Sequence, residues 1–252
     1  MYTARNYIKA ESLAQAYELN QRRANAIVGG GCWMRMGERM YDTLIDLSAL
    51  ELDQIQDRGE QAALGAMVTL RQLETNFMLD KCFAGLFRKC TEHIVGVQFR
   101  NCATLGGSVW SRFGFSDIVT ALLALDCQVE LAGAGRMSLE HFVKMPRDRD
   151  VLAWVYIKKD GRPVAYETAR NSETDLPVLT CALSRHEGTY RAVVGARPGG
   201  PRVVEDRGWD RLEEKVLALE YGDNMRGSAR YRRHLAGVLL KRCKAELEVT
   251  GG

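Results

Sequence analysis

Residues 97–109 read Val97-Gln-Phe-Arg-Asn-Cys-Ala-Thr-Leu-Gly-Gly-Ser-Val109, and the glycine pair at 106 and 107 interrupts a run of larger side chains. Adjacent glycines let a backbone come close to something that a Cβ would hold away. A turn or a bulge asks for the same residues. The neighbourhood narrows the choice. Upstream, Ala26-Ile-Val-Gly-Gly-Gly-Cys-Trp-Met-Arg-Met-Gly37 carries an apolar run into three consecutive glycines. Downstream, Asp117 precedes Ile118–Leu125, an apolar helix candidate that the carboxylate can cap.

A strand entering glycines suggests a dinucleotide fold, but the spacing fails. G-x-G-x-x-G begun at Gly29 needs glycine at 34, where Met34 stands, and begun at Gly30 it meets Cys32. No Gly-Lys-Ser/Thr follows for a Walker A loop. What remains is more general: successive glycine N–H groups can point into one concavity and hold an anion.

The chain has 252 residues, 46% hydrophobic and 27% charged, which allows one large globular domain or two ordinary ones. A net charge of +3 is too small for the one-signed field of a nucleic-acid or membrane-surface binder. The basic run Arg226–Arg233 reads as a solvated helix face with Leu235, Val238 and Leu239 buried. The N-terminal residues lack an apolar secretion segment. No apolar run approaches the ~18 residues of a membrane span. Seven scattered cysteines without a CxxC argue against a disulfide framework or a local zinc or iron–sulfur site, and for a reduced cytoplasm.

Periodicity predicts a helix over 11–22, strands over 26–28 and 43–47, and a hairpin of 52–56 with 61–64 about Asp57-Arg-Gly59. Helices are expected over 69–73 and 77–89, then over 118–125, with a strand over 128–131. Asp160-Gly-Arg-Pro163 is a turn and a domain boundary. Beyond it, strands are expected over 164–170 and 189–196 with a helix over Leu176–Arg185 between them, a loop over 197–201, and helices over 210–220 and 227–248.

The second glycine stretch resembles the FAD-binding subunit of the molybdenum hydroxylases, the group that includes xanthine dehydrogenase and aerobic carbon monoxide dehydrogenase. That family carries a pyrophosphate loop like A-G-G-x-S, then Q-I-R-N-x-A-T-I-G-G-N, an Asp about ten residues later, and an apolar helix. This chain has Val28-Gly-Gly-Gly-Cys32, Gln98-Phe-Arg-Asn-Cys-Ala-Thr-Leu-Gly-Gly-Ser108, Asp117 and Ile118–Leu125 in the same order. Gly65-Ala-Met-Val-Thr69, Tyr166-Glu-Thr-Ala-Arg-Asn171 and Asn224-Met-Arg-Gly-Ser-Ala-Arg-Tyr-Arg-Arg-His-Leu235 extend the likeness over almost the whole chain. The resemblance implies an α+β fold: a two-lobed FAD-binding domain over 1–160, of the type shared with vanillyl-alcohol oxidase-like flavoproteins. Its lobes are 1–53 and 54–160, and a small C-terminal α/β domain covers 161–252.

By the same resemblance, Ile27 and Val28 lead into a phosphate loop made of Gly29, Gly30, Gly31, Cys32 and Trp33. Thr104 offers a hydroxyl to the cofactor, or is a buried strand threonine. Gly106, Gly107 and Ser108 approach it by backbone, or only turn. Asp117 touches the flavin nucleotide, or caps its helix, or both. Ile94 and Val95 pack on the isoalloxazine, and Val151 and Leu152 make a second apolar contact, or all four are core. Arg100 and Asn101 read as structural and His93 as a helix-end histidine. Departures from the family pattern are concentrated near the cofactor. Cys32 stands where a Ser or Thr is usual, Gly31 replaces His or Asn, and Ser108 replaces Asn or Asp. Glu167 stands where several relatives carry a lysine near the flavin, and Trp110, Arg112 and Phe113 fill a region usually built from small residues.

The function implied is electron transfer. Substrate electrons pass from molybdopterin on a large partner subunit, across iron–sulfur clusters on a small one, to FAD here and on to NAD. No catalytic residue and no metal ligand is expected on this chain, since the cofactor carries the chemistry. Two alternatives remain: a stand-alone flavin oxidoreductase, and an assembly subunit that keeps the fold without FAD.

Overall fold

The computed structural model describes residues 1–250. The chain opens with β1 (Thr3–Lys9), α1 (Leu13–Asn20), β2 (Ala26–Val28) and β3 (Met40–Asp46). The hairpin β4 (Ile55–Arg58) and β5 (Gln61–Gly65) comes next. Five short helices follow: α2 (Leu70–Thr75), α3 (Phe77–Cys82), α4 (Leu86–Thr91), α5 (Val97–Arg100) and α6 (Leu105–Trp110). After them come α7 (Asp117–Leu123), β6 (Cys127–Leu131), β7 (Gly135–Ser138), α8 (Leu139–Lys144) and β8 (Leu152–Lys158). The last part holds β9 (Val164–Ala169), β10 (Leu179–His186), β11 (Thr189–Gly195), β12 (Arg202–Asp206), α9 (Trp209–Leu217) and α10 (Ala229–Thr250).

Two compact units form, and neither is continuous in sequence. Residues 1–72, 97–110 and 127–157 build the first, while 73–96, 111–126 and the chain from 158 onward build the second. A single cut near 160 matches only the last of these crossings; the helical segments 73–96 and 111–126 join the later strands instead of the earlier ones.

The first unit contains a parallel sheet in the order β1-β3-β2 and a five-stranded sheet in the order β4-β5-β8-β6-β7. Its core gathers Ala10, Ala16, Ile45, Leu47, Leu52, Val151 and Ala153. Helix α1 begins where Ser12 accepts the Gln15 N–H, satisfying one of the orphan donors of the first turn. The approach to β8 is pinned by polar groups. Arg149 donates to the carbonyls of Arg22 at 2.9 Å and Asn25 at 2.8 Å. Asp150 accepts the N–H groups of Gly133 and Ala134, both at 2.8 Å.

The second unit is built on an antiparallel sheet in the order β12-β11-β10-β9. One face of β10, carrying Leu179, Cys181 and Leu183, packs with Leu212, Val216 and Leu240 of α9 and α10. The opposite face meets α7: Thr180 and Thr120 hydroxyls lie 3.1 Å apart, and the Ser184 hydroxyl donates to the Ala124 carbonyl at 2.5 Å. The segment Leu176–Arg185, expected as a helix, holds this strand instead: its larger apolar side chains Leu179, Cys181 and Leu183 fall at period two and share one face. The expected helix over 77–89 is broken into α3 and α4 at Ala84 and Gly85, whose φ values are 49° and 73°.

Arg232 overturns the reading of 226–233 as a wholly solvated face. It is 0% exposed and donates to the carbonyls of Val178, Gly222 and Gly227 and to Asn224 Oδ1. Among the described residues, no helix is long and apolar enough to cross a membrane.

Candidate cofactor site

Strand β2 runs parallel to β3 as far as Val28, opposite Asp46, and there the chain leaves the sheet through Gly29–Cys32. Ile27, half-buried, anchors the strand on the first unit's core. Gly31 turns the chain with φ +68°, a conformation that costs a side-chain-bearing residue. Gly30 lies on the backbone of Cys102: a Cβ there would stand 1.6 Å from the Cys102 carbonyl oxygen. Gly29 lies on Thr104, where a Cβ would be 2.9 Å from Oγ1. The two glycine stretches thus meet within the first unit, at Cys102–Thr104.

Thr104 is held firmly. It bridges to Thr69, and Leu105 and Gly106 donate to the carbonyls of Val68 at 2.8 Å and Ala66 at 2.7 Å. Its Oγ1 accepts the Gly107 N–H at 3.1 Å, which leaves the hydroxyl proton to be donated elsewhere. The glycines of the pair therefore differ. Gly106 allows close approach, but to its own chain: a Cβ there would come 2.6 Å from the Ala66 carbonyl oxygen. Gly107 orients a hydroxyl. Ser108 turns back on its helix, its hydroxyl donating to the Thr104 carbonyl at 3.1 Å.

Among the described residues, no acceptor in the protein takes the backbone N–H groups of Gly29, Gly30, Gly31 or Cys32. Consecutive unpaired donors in a glycine turn form an anion-binding nest. The Thr104 hydroxyl lies against the first glycine of that turn. These residues fit a phosphate-bearing group. Cys32 contributes little through its side chain. The thiol points back to the Gly30 carbonyl at 3.7 Å, and burial, followed by the nearby Cys102 thiol, pushes its pKa up. Trp33, next in the chain, is 49% exposed.

The remaining expected site residues fall in different surroundings. Ile94 is half-buried with its N–H on the Thr91 carbonyl. Val95 is not core: it is 47% exposed and holds φ +52°, a rare conformation for a β-branched residue. Val151 and Leu152 are 1% and 5% exposed, so the core reading accounts for both and leaves little side-chain surface for a ligand.

Asp117 does not cap its helix. Ser116 does, accepting the Val119 N–H at 3.2 Å. The Asp117 carboxylate is buried, ion-paired with Arg170, and takes the Tyr166 hydroxyl at 2.6 Å. Burial drives its pKa up against the opposing pull of Arg170 and Tyr166, and it drives the Tyr166 phenol far above its ordinary value. Sequence reasoning missed both partners. The available signal was the alternation Tyr166, Thr168, Arg170 along one strand face. Glu167, between them, faces the other way, opposite Cys181 and among Lys89, Arg242 and Glu246; burial pushes its carboxyl up. Arg100 is buried, and His93 lies at the end of α4 with Nε2 3.5 Å from Glu92. Among the described residues, no group of three His, Cys, Asp or Glu side chains is placed to hold a metal ion.

A parallel strand ending in unpaired glycine N–H groups, set against a second glycine stretch with an oriented hydroxyl, is an arrangement that fits a phosphate-bearing group. The family described as "FAD binding domain in molybdopterin dehydrogenase" matches residues 2–157, and the chain belongs to it. It is 27% identical to the uncharacterized protein YgfM of Escherichia coli K12 over 97% of each chain. It is 23% identical to the glyceraldehyde dehydrogenase medium chain of Sulfolobus acidocaldarius over 96% of this chain and 98% of that one. The fold is shared with a chain of carbon monoxide dehydrogenase from Hydrogenophaga pseudoflava, at a TM-score of 0.83 and 19% identity over 97% of each chain.

Proposed function

We propose that this chain is the FAD-binding, electron-transfer subunit of a multi-subunit molybdenum hydroxylase of xanthine dehydrogenase type. The observation that carries the reading is the row of four unpaired N–H groups at Gly29–Cys32, whose first two glycines lie against Cys102–Thr104. In this reading they hold the cofactor's pyrophosphate. The Thr104 hydroxyl, oriented by the Gly107 N–H, donates a further hydrogen bond to it. FAD, when bound, supplies the redox chemistry, and the chain's task is to bind and position it. Molybdopterin belongs to a large partner subunit, iron–sulfur clusters to a small one, and NAD is the terminal acceptor, in the cytoplasm. The match to a protein named as a medium chain supports a multi-subunit setting. Kinship with two-lobed flavoproteins of the vanillyl-alcohol oxidase type is part of the same proposal and rests on the sequence resemblance alone.

The test is to purify the chain with its native partners and record the flavin spectrum before and after adding xanthine and NAD. One FAD per chain, released on denaturation and reduced by xanthine, is the expected result. Flavin without xanthine reduction would remove the substrate assignment alone. The second reading, a flavin-free assembly subunit, is favoured by one observation: the Cys32 thiol, a weak donor, is turned onto the Gly30 carbonyl, at a position where the resemblance implies a hydroxyl. A colourless complex with every subunit present selects that reading.

A further inference from the structure

We propose that Cys32 and Cys102 form a reversible disulfide across Gly30, which closes the phosphate loop; the effect on the loop, though not the bond itself, rests on the function proposed above. The two cysteines come from the two glycine stretches, and both flank Gly30. The Cys32 sulfur lies 3.7 Å from the Gly30 carbonyl oxygen. The Cys102 backbone lies against the same glycine, so closely that a Cβ on Gly30 would stand 1.6 Å from the Cys102 carbonyl oxygen. Between Gly30 and Cys32, Gly31 turns the chain with φ +68°. Cys102 is exposed and Cys32 half-exposed, whereas Cys90, Cys127, Cys181 and Cys243 are buried. Cys82, the other accessible thiol, belongs to the second unit. The Cys102 charge also registers in the Cys32 titration, as expected of neighbouring thiols.

The oxidant is a low-molecular-weight disulfide of the glutathione class. The Cys102 thiolate attacks one of its sulfurs, breaking that S–S bond, forming a mixed disulfide and releasing one thiol. The Cys32 thiolate then attacks the Cys102 sulfur and releases the second thiol. The protein loses two protons and two electrons, and the small disulfide takes them up to become two thiols. The exposed residue acts first because the Cys32 thiolate is disfavoured by burial. Once formed, the bridge ties residue 32 to residue 102 over Gly30 and holds the turn whose N–H groups must open onto a phosphate.

The experiment is oxidation of the intact chain across a glutathione redox series, with non-reducing peptide mass spectrometry and FAD retention as readouts. The expected result is a peptide pair linked through Cys32 and Cys102, formed reversibly, with FAD loaded by the reduced protein and lost from the oxidised one. The linked pair disappears in Cys32→Ser and in Cys102→Ser and persists in Cys82→Ser. In Cys102→Ser, FAD retention no longer responds to glutathione disulfide. Absence of the linked pair at every ratio overturns the proposal, whatever the flavin content. A linked pair with unchanged FAD retention overturns the closing of the loop. A chain that never binds FAD but forms the bridge refutes the proposed function and leaves the redox site standing.

Discussion

Replacing Gly30 with alanine adds one methyl group and removes nothing, yet the structure gives it nowhere to go. The new Cβ would stand 1.6 Å from the Cys102 carbonyl oxygen, where ordinary contact begins near 3.4 Å, so something must shift by about 1.8 Å. The obstacle is backbone, fixed by the bridge and hydrogen bonds that hold Thr69, Val68 and Ala66 against residues 104–106. Overpacking costs typically 1–3 kcal/mol and more where the surroundings cannot relax, which puts Gly30→Ala at about 3 kcal/mol or above. For a chain of this size that is a fall in Tm of roughly 6–12 °C. Gly31→Ala is the control. Its nearest neighbour would be 3.6 Å away, so only the left-handed backbone is penalised, by about 1–2 kcal/mol. Thermal melts of the flavin-free proteins, followed by circular dichroism, measure both. A Gly30→Ala protein that melts within about 2 °C of wild type while failing to retain FAD would refute the reasoning. It would place the missing side chain on the ligand's side of the loop and not against Cys102.

Arg232→Met strips the fork from four acceptors, the Val178 carbonyl among them buried, and should lower stability by about 1–3 kcal/mol, read in a denaturant titration, whereas Arg230→Ala on the exposed face should change nothing measurable. Glu167→Lys should leave the flavin midpoint potential where it is, because the side chain faces α10, and should lower Tm by adding a cation beside Lys89 and Arg242; a redox titration and a melt separate the two. Asp160 gives a pH dependence. Burial alone would raise its carboxyl, but Arg162, donating from Nε at 3.0 Å and Nη2 at 2.5 Å, holds it below the usual range. A depressed carboxylate stabilises the fold above its unfolded pKa, near 4, and that share is lost as pH falls through the folded value. Asp160→Asn should therefore flatten the acid limb of the stability curve below about pH 4, and an unchanged limb would show that the pair contributes nothing.

The glycine stretches were legible because spacing and order survive in a bare sequence, and the structure brings them together at Thr104. Asp117 was legible as important but not in its role. Its partners Tyr166 and Arg170 lie about fifty residues away, and no local pattern announces a pairing over that distance. The cap was displaced by one residue because Ser116 and Asp117 are both good caps, and only the backbone decides between them. The run Leu179–Ser184 does alternate, Leu179, Cys181 and Leu183 against Thr180, Ala182 and Ser184, but both faces are buried and the second is small, so the apolar count read as a helix. Strand β1 escaped notice for the opposite reason: it is an edge strand, exposed along nearly its whole length, so no apolar rhythm marks it. Which segments belong to which unit was invisible, because helices such as α3 and α7 look alike whichever sheet they cover.

The interleaving of the two units bears on how the chain is made. The polypeptide passes between them at 72/73, 96/97, 110/111, 126/127 and 157/158, five crossings in all. A ribosome that has released residues 1–157 has delivered all of the first unit together with 73–96 and 111–126, helical pieces of a second unit whose sheet has not yet been synthesised. Buried side chains such as Phe87 on α4 and Ile118 on α7 stay uncovered until β9 and β10 emerge. The family match ends at residue 157, the same crossing, so the matched segment carries 73–96 and 111–126 without the sheet they join. A truncation there should go to inclusion bodies, and limited proteolysis of the intact protein should yield nicked, still associated fragments instead of a free cofactor domain.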